Sequence, residues 1–193
     1  MIDLEKARQF VATLSEEDLE DEEKIEKFNS FFVENCEQLD AEFINKIINN
    51  KDLETENRVA LMEEYAYKGS AAAQLTVGVM KLEGNGMTQN IPEAIFWLRR
   101  SYNGNNPKAG LILAGIYVNG ISVKENLFKA REYVKASADQ GVPKAQYLYA
   151  LMLLDGDGGS IDENAAIEYM FFAANGGSEE ALQFLQENEL IKT

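Results

Sequence analysis

The stretch from Leu153 to Glu163, LLDGDGGSIDE, alternates acidic residues with glycines in the way that a calcium-binding loop does. A calcium loop needs oxygen ligands at its positions 1, 3 and 5, a glycine at position 6 and a glutamate at position 12. Counted from Asp155, position 3 is Asp157, as required. Positions 5, 6 and 12 are Gly159, Ser160 and Ala166. The calcium template fails at these three places, so the loop needs another explanation.

The explanation is an internal repeat with an ungapped period of 36 residues. Alanines recur at Ala73, Ala109, Ala145 and Ala181, glycines at Gly84, Gly120 and Gly156, and further alanines at Ala94, Ala130 and Ala166. Two more columns hold the aromatic residues Trp97, Tyr133 and Tyr169 and the helix-capping residues Asn90, Asn126 and Asp162. The quoted stretch is the third copy of a loop that reads LEGNGMTQN from Leu82 and VNGISVKEN from Val118. Because the loop recurs in every copy, a structural role explains it better than a metal site does.

The repeated residues predict two helices in each copy. The segment from Ala73 to Leu82 is apolar at helical spacing with almost no polar face, which is typical of a largely buried helix. The glycine column follows the last apolar residue, where a left-handed C-terminal cap favours a residue without Cβ. The Asn/Asp column then offers a side-chain oxygen to the free amides of a second helix. Pro107 and Pro143 suit the first turn of a helix. Each copy is therefore predicted to be an antiparallel helix pair.

The pattern A-x4-G-x5-G-x-G…D-x3-A-x2-W/Y…A-A-x2-G resembles the Sel1-like repeat, a branch of the tetratricopeptide-type helical solenoids. The first copy matches it at Ala73, Gly78, Gly84, Gly86, Ala94 and Trp97, and the third at Ala145, Tyr147, Gly156, Gly158, Asp162, Ala166, Tyr169, Ala173, Ala174 and Gly177. The middle copy departs from it, with Ala114 at the helix glycine and Ser122 at the second loop glycine. The resemblance implies an all-α fold, a right-handed α-solenoid of antiparallel helix pairs with a 36-residue repeat and a helical N-terminal cap.

The predicted organisation is one continuous body. Residues 1–56 form an acidic helical N-terminal cap region, and residues 57–187 form the Sel1-like repeats. Within the repeats we expect a partial copy at 57–72, full copies at 73–108, 109–144 and 145–180, and a C-terminal capping helix at 179–190. The caps are expected because a solenoid exposes apolar surface at each open end.

The chain is strongly acidic, with a formal net charge of −15 over 193 residues. Residues 1–68 contain 19 acidic and 8 basic side chains, whereas residues 69–193 contain 14 and 10. The densest acidic segment, SEEDLEDEEKIEK, includes Glu16, Glu17, Glu20, Asp21, Glu22 and Glu23. These side chains are either a solvated helix face or a docking surface for a basic partner protein. Nucleic acid and anionic membranes would be repelled, so neither is an expected partner.

The sequence predicts a cytoplasmic protein. It contains no apolar run long enough to span a bilayer, and its start, MIDLEKARQFVATL, lacks the basic and apolar regions of a secretory signal. Its single cysteine, Cys36, cannot form an internal disulfide. Because Cys36 follows Phe31, Phe32 and Val33, we expect it to be a small core residue.

Catalysis and metal binding are not expected. The chain contains no histidine, which removes imidazole bases, Ser-His and Cys-His pairs and His-containing zinc sites. Paired carboxylates occur at Glu63–Glu64, at Asp155 and Asp157, and at Asp162–Glu163, but each pair lies beside a turn or on a polar helix face. LEGNG and DGDGG lack the Lys-Ser/Thr of a phosphate loop. We therefore predict no catalytic residue, no cofactor and no metal.

The function that remains is recognition of another protein. The resemblance implies a groove lined by the first helix of each repeat, at Leu75, Val79, Leu82, Leu111, Gly115, Val118, Tyr147, Leu151 and Leu154. These residues either pack within the protein or form an apolar strip for an amphipathic or basic segment. The leading hypothesis is a non-catalytic protein-binding module. The sharper alternative is an immunity protein that neutralises a bacterial toxin domain, and the alternative of another class is a carboxylate enzyme or metal-binding protein.

Overall fold

A computed structural model describes Asn49 and residues 55–191, and this part of the chain contains eight α-helices and no strand. The helices are α1 Thr55–Tyr67, α2 Ala71–Glu83, α3 Ile91–Asn103, α4 Pro107–Asn119, α5 Leu127–Asp139, α6 Pro143–Asp155, α7 Glu163–Asn175 and α8 Glu179–Glu187. The chain divides into two compact units, Met1–Ala109 and Gly110–Thr193. None of the described helices is both long and apolar enough to cross a membrane.

The helix bounds confirm the predicted repeat of helix pairs. The first helices α2, α4 and α6 begin at Ala71, Pro107 and Pro143, and the second helices α3, α5 and α7 begin at Ile91, Leu127 and Glu163. Each of these six helices has 13 residues, and each series advances by 36 residues per copy. The sequence register is therefore also the structural register.

In the first unit, α2 packs between α1 and α3. Gly78 permits the close approach of α2 to α3, because a Cβ at this position would lie 2.8 Å from Leu98 Cγ and 3.3 Å from the Ala94 carbonyl oxygen. Beside this contact the buried Trp97 ring meets the Tyr67 ring edge to face, with centroids 4.8 Å apart. The glycine contact and the ring contact thus hold α3 against α2 and α1.

In the second unit, α6 packs between α5 and α7, and α8 covers α7. The alanine columns are fully buried in both units: Ala73, Ala94, Ala109, Ala130, Ala145, Ala166 and Ala181 have no accessible surface. Aromatic residues again lie beside them, with Tyr149 and Tyr169 meeting edge to face at 4.8 Å. Burying these rings and methyl groups is the main favourable contribution to the fold.

The predicted helix ends are confirmed by their hydrogen bonds and dihedral angles. The side chains of Asn90, Asn126 and Asp162 accept from the amides of Glu93, Lys129 and Ala165 at 3.1, 2.9 and 3.0 Å. Gly84, Gly120 and Gly156 have left-handed φ angles of 73°, 60° and 76°. Each loop between paired helices therefore starts with a glycine cap and ends with a side-chain cap.

The middle copy keeps the loop geometry although it lacks the second loop glycine. Gly86 and Gly158 have φ angles of 76° and 69°, and Ser122 has the same left-handed conformation, with a φ of 54°. Left-handed backbone is unfavourable for a residue with a Cβ. The repeat register thus imposes a conformation on Ser122 that its own chemistry does not favour.

The C-terminal helix is shorter than the predicted range of 179–190. It ends at Glu187, and Glu189 follows with a left-handed φ of 56°. Ala181 and Leu185 are buried as expected, but Leu182 and Leu190 are exposed. Apart from Asn49, Thr55 and Glu56, the predicted N-terminal cap region 1–56 lies outside the described residues. It includes Cys36 and the acidic segment Glu16, Glu17, Glu20, Asp21, Glu22 and Glu23.

We predict that Gly158→Ala destabilises the fold by about 3 kcal/mol, because left-handed strain adds to overpacking. A Cβ at Gly158 would lie 2.1 Å from the Leu127 carbonyl oxygen. The matched control is Gly141→Ala, where φ is 81° but a Cβ would meet no atom within 4 Å. The control should lose only about 1 kcal/mol. Urea unfolding measures both, and equal losses would contradict a tight contact between this loop and α5.

We predict that Ser122→Gly stabilises the protein by about 0.5 kcal/mol, because relief of left-handed strain exceeds the extra chain entropy of glycine. The control is Ser160→Gly in the third loop, since Ser160 has no left-handed φ. This second change should cost about 0.5 kcal/mol. The two variants should shift the midpoint of urea unfolding in opposite directions, with no change in how steeply the unfolding free energy depends on urea. A lower stability of Ser122→Gly would contradict left-handed strain at Ser122.

Candidate partner-binding surfaces

The first helix of the first full copy has an apolar face that is partly open to solvent. Leu75, Val79 and Leu82 follow one another at spacings of four and three residues, which places them on one side of α2. Each of them is half-buried, whereas Ala73 and Val77 on the other side are fully buried. The predicted groove residues of this copy thus share a face that the core does not fully cover.

The corresponding positions of the second unit have the same intermediate exposure. Leu111, Tyr147, Leu151 and Leu154 pack against the core cluster with part of each side chain accessible, and Val118 is exposed. Gly115 leaves further room on α4, because a Cβ at this position would meet nothing within 4 Å. All eight predicted side chains therefore present apolar surface, and Leu111, Tyr147, Leu151 and Leu154 also pack against the core. That this surface binds a partner remains a prediction.

The loop that resembles a calcium site already contains a positive charge, the guanidinium of Arg131. From α5, this group donates to the carbonyl oxygens of Asp157 at 3.1 Å and Ser160 at 2.9 Å. Gly159 leaves the space for it, since a Cβ there would lie 2.8 Å from an Arg131 terminal nitrogen. The loop thus uses backbone carbonyls to bind a cation of its own chain, while the Asp155 and Asp157 side chains face solvent.

Two of the paired carboxylates have structural partners. Asp162 caps α7, and Glu64 forms an ion pair with Lys68. Within residues 55–191 no three Asp, Glu, His or Cys side chains are placed to hold a metal ion. Asp162 therefore has a capping role, and Glu64 forms a surface ion pair.

A small polar network joins the two second helices of the second unit. The Tyr169 hydroxyl donates to one carboxylate oxygen of Asp139 at 2.6 Å, and the Lys135 ammonium donates to the other at 2.6 Å. Partial burial would raise the pKa of Asp139, but these two hydrogen bonds lower it below its ordinary value. Burial and the same carboxylate raise the pKa of Tyr169. The network fixes α7 against α5 with a polar contact at the surface.

Two strongly exposed apolar residues were missed at the sequence level. Phe128 and Ile161 are the most exposed large hydrophobic side chains of the described residues, at 63% and 60%. The repeat register could have revealed them, because their columns are otherwise free of exposed apolar types. Position 128 corresponds to Pro92 and Asn164, and position 161 corresponds to Gln89 and Glu125.

Successive helix pairs with half-exposed apolar faces define an α-helical repeat protein of the solenoid class. The chain belongs to the Sel1 repeat family: the model of this repeat matches residues 71–106, 109–142 and 143–178, which is more than half of the chain. Proteins of this family are generally protein-interaction modules.

Curated relatives share the repeats within longer proteins. Chitin synthase regulatory factor 3 of Schizosaccharomyces pombe is 30% identical over 138 residues, which is 70% of this chain and 15% of that protein. The exopolysaccharide production negative regulator of Rhizobium meliloti is 31% identical over 133 residues, 60% of this chain and 50% of that protein. The chain thus spans half or less of these relatives.

Solved structures show the same fold. A Sel1 repeat protein from Oxalobacter formigenes is 31% identical, with a TM-score of 0.64 over 67% of this chain and 97% of that one. A protective antigen of uropathogenic Escherichia coli with an SLR fold has a TM-score of 0.69 and covers 98% of this chain and 37% of that one. Its identity is 18%, so this second likeness concerns the fold alone.

We predict that Tyr169→Phe raises the pKa of Asp139 toward its ordinary value, because the carboxylate loses a hydrogen-bond donor. A lowered folded-state pKa stabilises the protein above the unfolded pKa, and this stability is lost as pH falls through the folded value. The variant should therefore be less stable than wild type at neutral pH, and the difference should shrink below about pH 4.

The pKa of Asp139 is measured by NMR titration of its carboxyl carbon, and stability by urea unfolding across the same pH range. The control is Tyr147→Phe, since Tyr147 makes no hydrogen bond to Asp139. An unchanged Asp139 titration in Tyr169→Phe would contradict the role of the hydroxyl.

Proposed function

We propose that this chain is a non-catalytic module that binds a basic or amphipathic partner protein through an acidic surface, the first-helix faces, or both. The observation that carries the proposal is the recurrence of half-exposed apolar residues on first helices in all three copies. Covering this surface with a partner would be favourable by about 25 cal/mol per Å² of apolar area removed from water. Apolar surface that recurs along a helical repeat suits an amphipathic helix or an extended segment.

The charge supports a basic partner. A net charge of −15 attracts positively charged proteins and accelerates their association, and salt weakens this effect. The first acidic segment, with Glu16 and its neighbours, has the highest charge density of the sequence. Attraction of this kind selects the sign of a partner, whereas apolar contacts supply most of the affinity.

The described carboxylates favour binding over catalysis. Asp162 is engaged as a helix cap, and Glu64 is paired with Lys68. The Asp157–Ser160 backbone is occupied by the Arg131 guanidinium. Titration calorimetry with calcium and magnesium tests the alternative of a metal-binding protein. A saturable heat of binding together with a rise in the unfolding temperature would support that alternative.

The immunity hypothesis is the sharper form of the proposal. A small, acidic chain that acts by binding alone suits the neutralisation of a basic toxin domain. Two relatives are named as a regulatory factor and a negative regulator, and inhibition by binding is one way in which such a module could regulate. An equimolar complex that abolishes the activity of a toxin encoded beside this chain would support the hypothesis.

We predict that the full chain captures a discrete basic partner from the source-cell lysate at about 50 mM salt and releases it at about 500 mM. A variant that changes Glu16, Glu17, Glu20 and Asp21 to Lys should lose the partner. The matched control changes Glu132, Glu168, Glu179 and Glu187 to Lys, which are exposed acids elsewhere, and should retain most of it. Quantitative mass spectrometry measures the recovery.

A further variant, Tyr147→Ser with Leu151→Ser, tests the first-helix face of α6. Because both residues also pack against the core, its thermal unfolding is measured beside that of wild type. A partner that survives the charge reversal but not this change locates binding on the apolar face. If resin that carries the full chain recovers no protein beyond what empty resin recovers, the proposed function is contradicted.

A further inference from the structure

One loop of the second unit contains Ile161 and lies against the backbone of Phe128. The loop after α6 packs on the first turn of α5, where a Cβ at Gly158 would lie 3.0 Å from the Phe128 amide nitrogen. Ile161 closes the same loop, since its Cγ1 lies 3.0 Å from the Cβ position of Gly156. Arg131, one turn beyond Phe128, bonds to the carbonyl of Ser160, which precedes Ile161. We call Phe128 together with residues 155–163, which include Ile161, the loop-edge surface.

The fold does not require apolar residues at these two positions. The other copies close the equivalent loops with Gln89 and Glu125, and they begin the second helix with Pro92 or Asn164. Phe128 and Ile161 nevertheless keep 63% and 60% of their surface in water. Exposed apolar side chains lower solubility, and neither of the other full copies has a large apolar side chain at these positions. Contact with another molecule would remove this apolar surface from water.

The charges around these residues indicate the sign of the charge that a partner would carry. Between positions 155 and 163 there are four acids, Asp155, Asp157, Asp162 and Glu163, and no base. Arg131 and Lys129 keep their positive charges, so the four acids outnumber these two bases and leave a local net charge of −2. Lys129 turns its ammonium toward the Tyr117 ring, 5.4 Å from the centroid. The three carboxylates of Asp155, Asp157 and Glu163 are exposed beside the apolar pair.

We propose that the loop-edge surface docks a basic amphipathic segment of a partner protein. Apolar side chains of the segment contact Phe128 and Ile161, and its Lys or Arg residues pair with Asp155, Asp157 and Glu163. The inference rests on the proposed function, and it names a surface separate from the first-helix faces. A second copy of this chain does not suit the surface, because a two-fold contact would bring acidic loops together.

The test uses the full chain and a fluorescent synthetic peptide. The peptide has Leu at helical spacing of three and four residues and Arg elsewhere, and a matched peptide has Glu in place of Arg. Anisotropy titrations at about 50 mM salt should give saturable binding of the Arg peptide alone. Phe128→Ser with Ile161→Ser should weaken binding about tenfold or more. The matched control, Phe172→Ser, changes an exposed aromatic residue of α7 and should leave binding within about twofold.

A second pair of variants tests the charge. Asp155→Asn, Asp157→Asn and Glu163→Gln together should weaken binding severalfold. The control triple, Glu132→Gln, Glu168→Gln and Glu187→Gln, makes the same change in net charge elsewhere in the second unit and should not. Thermal unfolding verifies that all variants are folded.

The outcomes separate this inference from the proposed function. If the Arg peptide binds and Phe128→Ser with Ile161→Ser has no effect, the loop-edge surface is wrong while a basic partner is still supported. If both triples weaken binding equally, binding follows net charge and the docking surface is overturned. If the Arg peptide does not bind, the inference fails, and the lysate experiment still decides whether the chain holds a protein partner.

Discussion

The fold depends on the close approach of helix backbones at two columns of small residues. Seven alanines, from Ala73 to Ala181, are fully buried at these contacts, and Gly78 brings α2 against Leu98 with no room for a methyl group. A larger side chain in either column would separate the helices and move every residue that packs beside them. The 36-residue register follows, because each copy must return the same small residue to the same contact.

The features that recur in every copy could be read from the sequence because they obey local rules. Capping by Asn90, Asn126 and Asp162 and the left-handed glycines depend on the chain within a few residues of each site. The features that could not be predicted involve partners far apart in sequence. Arg131 contacts a loop more than 25 residues away, and no local pattern indicates that contact. The end of α8 at Glu187 is different, because it is a local feature that the repeat does not determine.

The repeats therefore divide the sequence into positions that serve the fold and positions that the fold leaves free. The predicted apolar residues of the second and third copies lie between these classes, since Leu111, Tyr147, Leu151 and Leu154 pack against the core and still meet solvent. Phe128 and Ile161 belong to the second class, because the same columns tolerate Pro, Asn, Gln and Glu elsewhere. In a repeat protein, the copies can be compared with one another.

The Arg131 contact also bears on how such a chain could grow by duplication. Arg131 and Gly159 are each found at their position in one copy only. The other copies have Val59, Ile95 or Ile167 in place of the arginine and Met87 or Val123 in place of the glycine. A duplication that copied α6, its loop and α7 would place the glycine-rich loop beside Ile167 and leave the guanidinium site empty. A segment from α5 through the end of that loop would carry both halves of the contact. The segment that keeps both halves of this contact together is therefore offset by half a repeat from the helix pair.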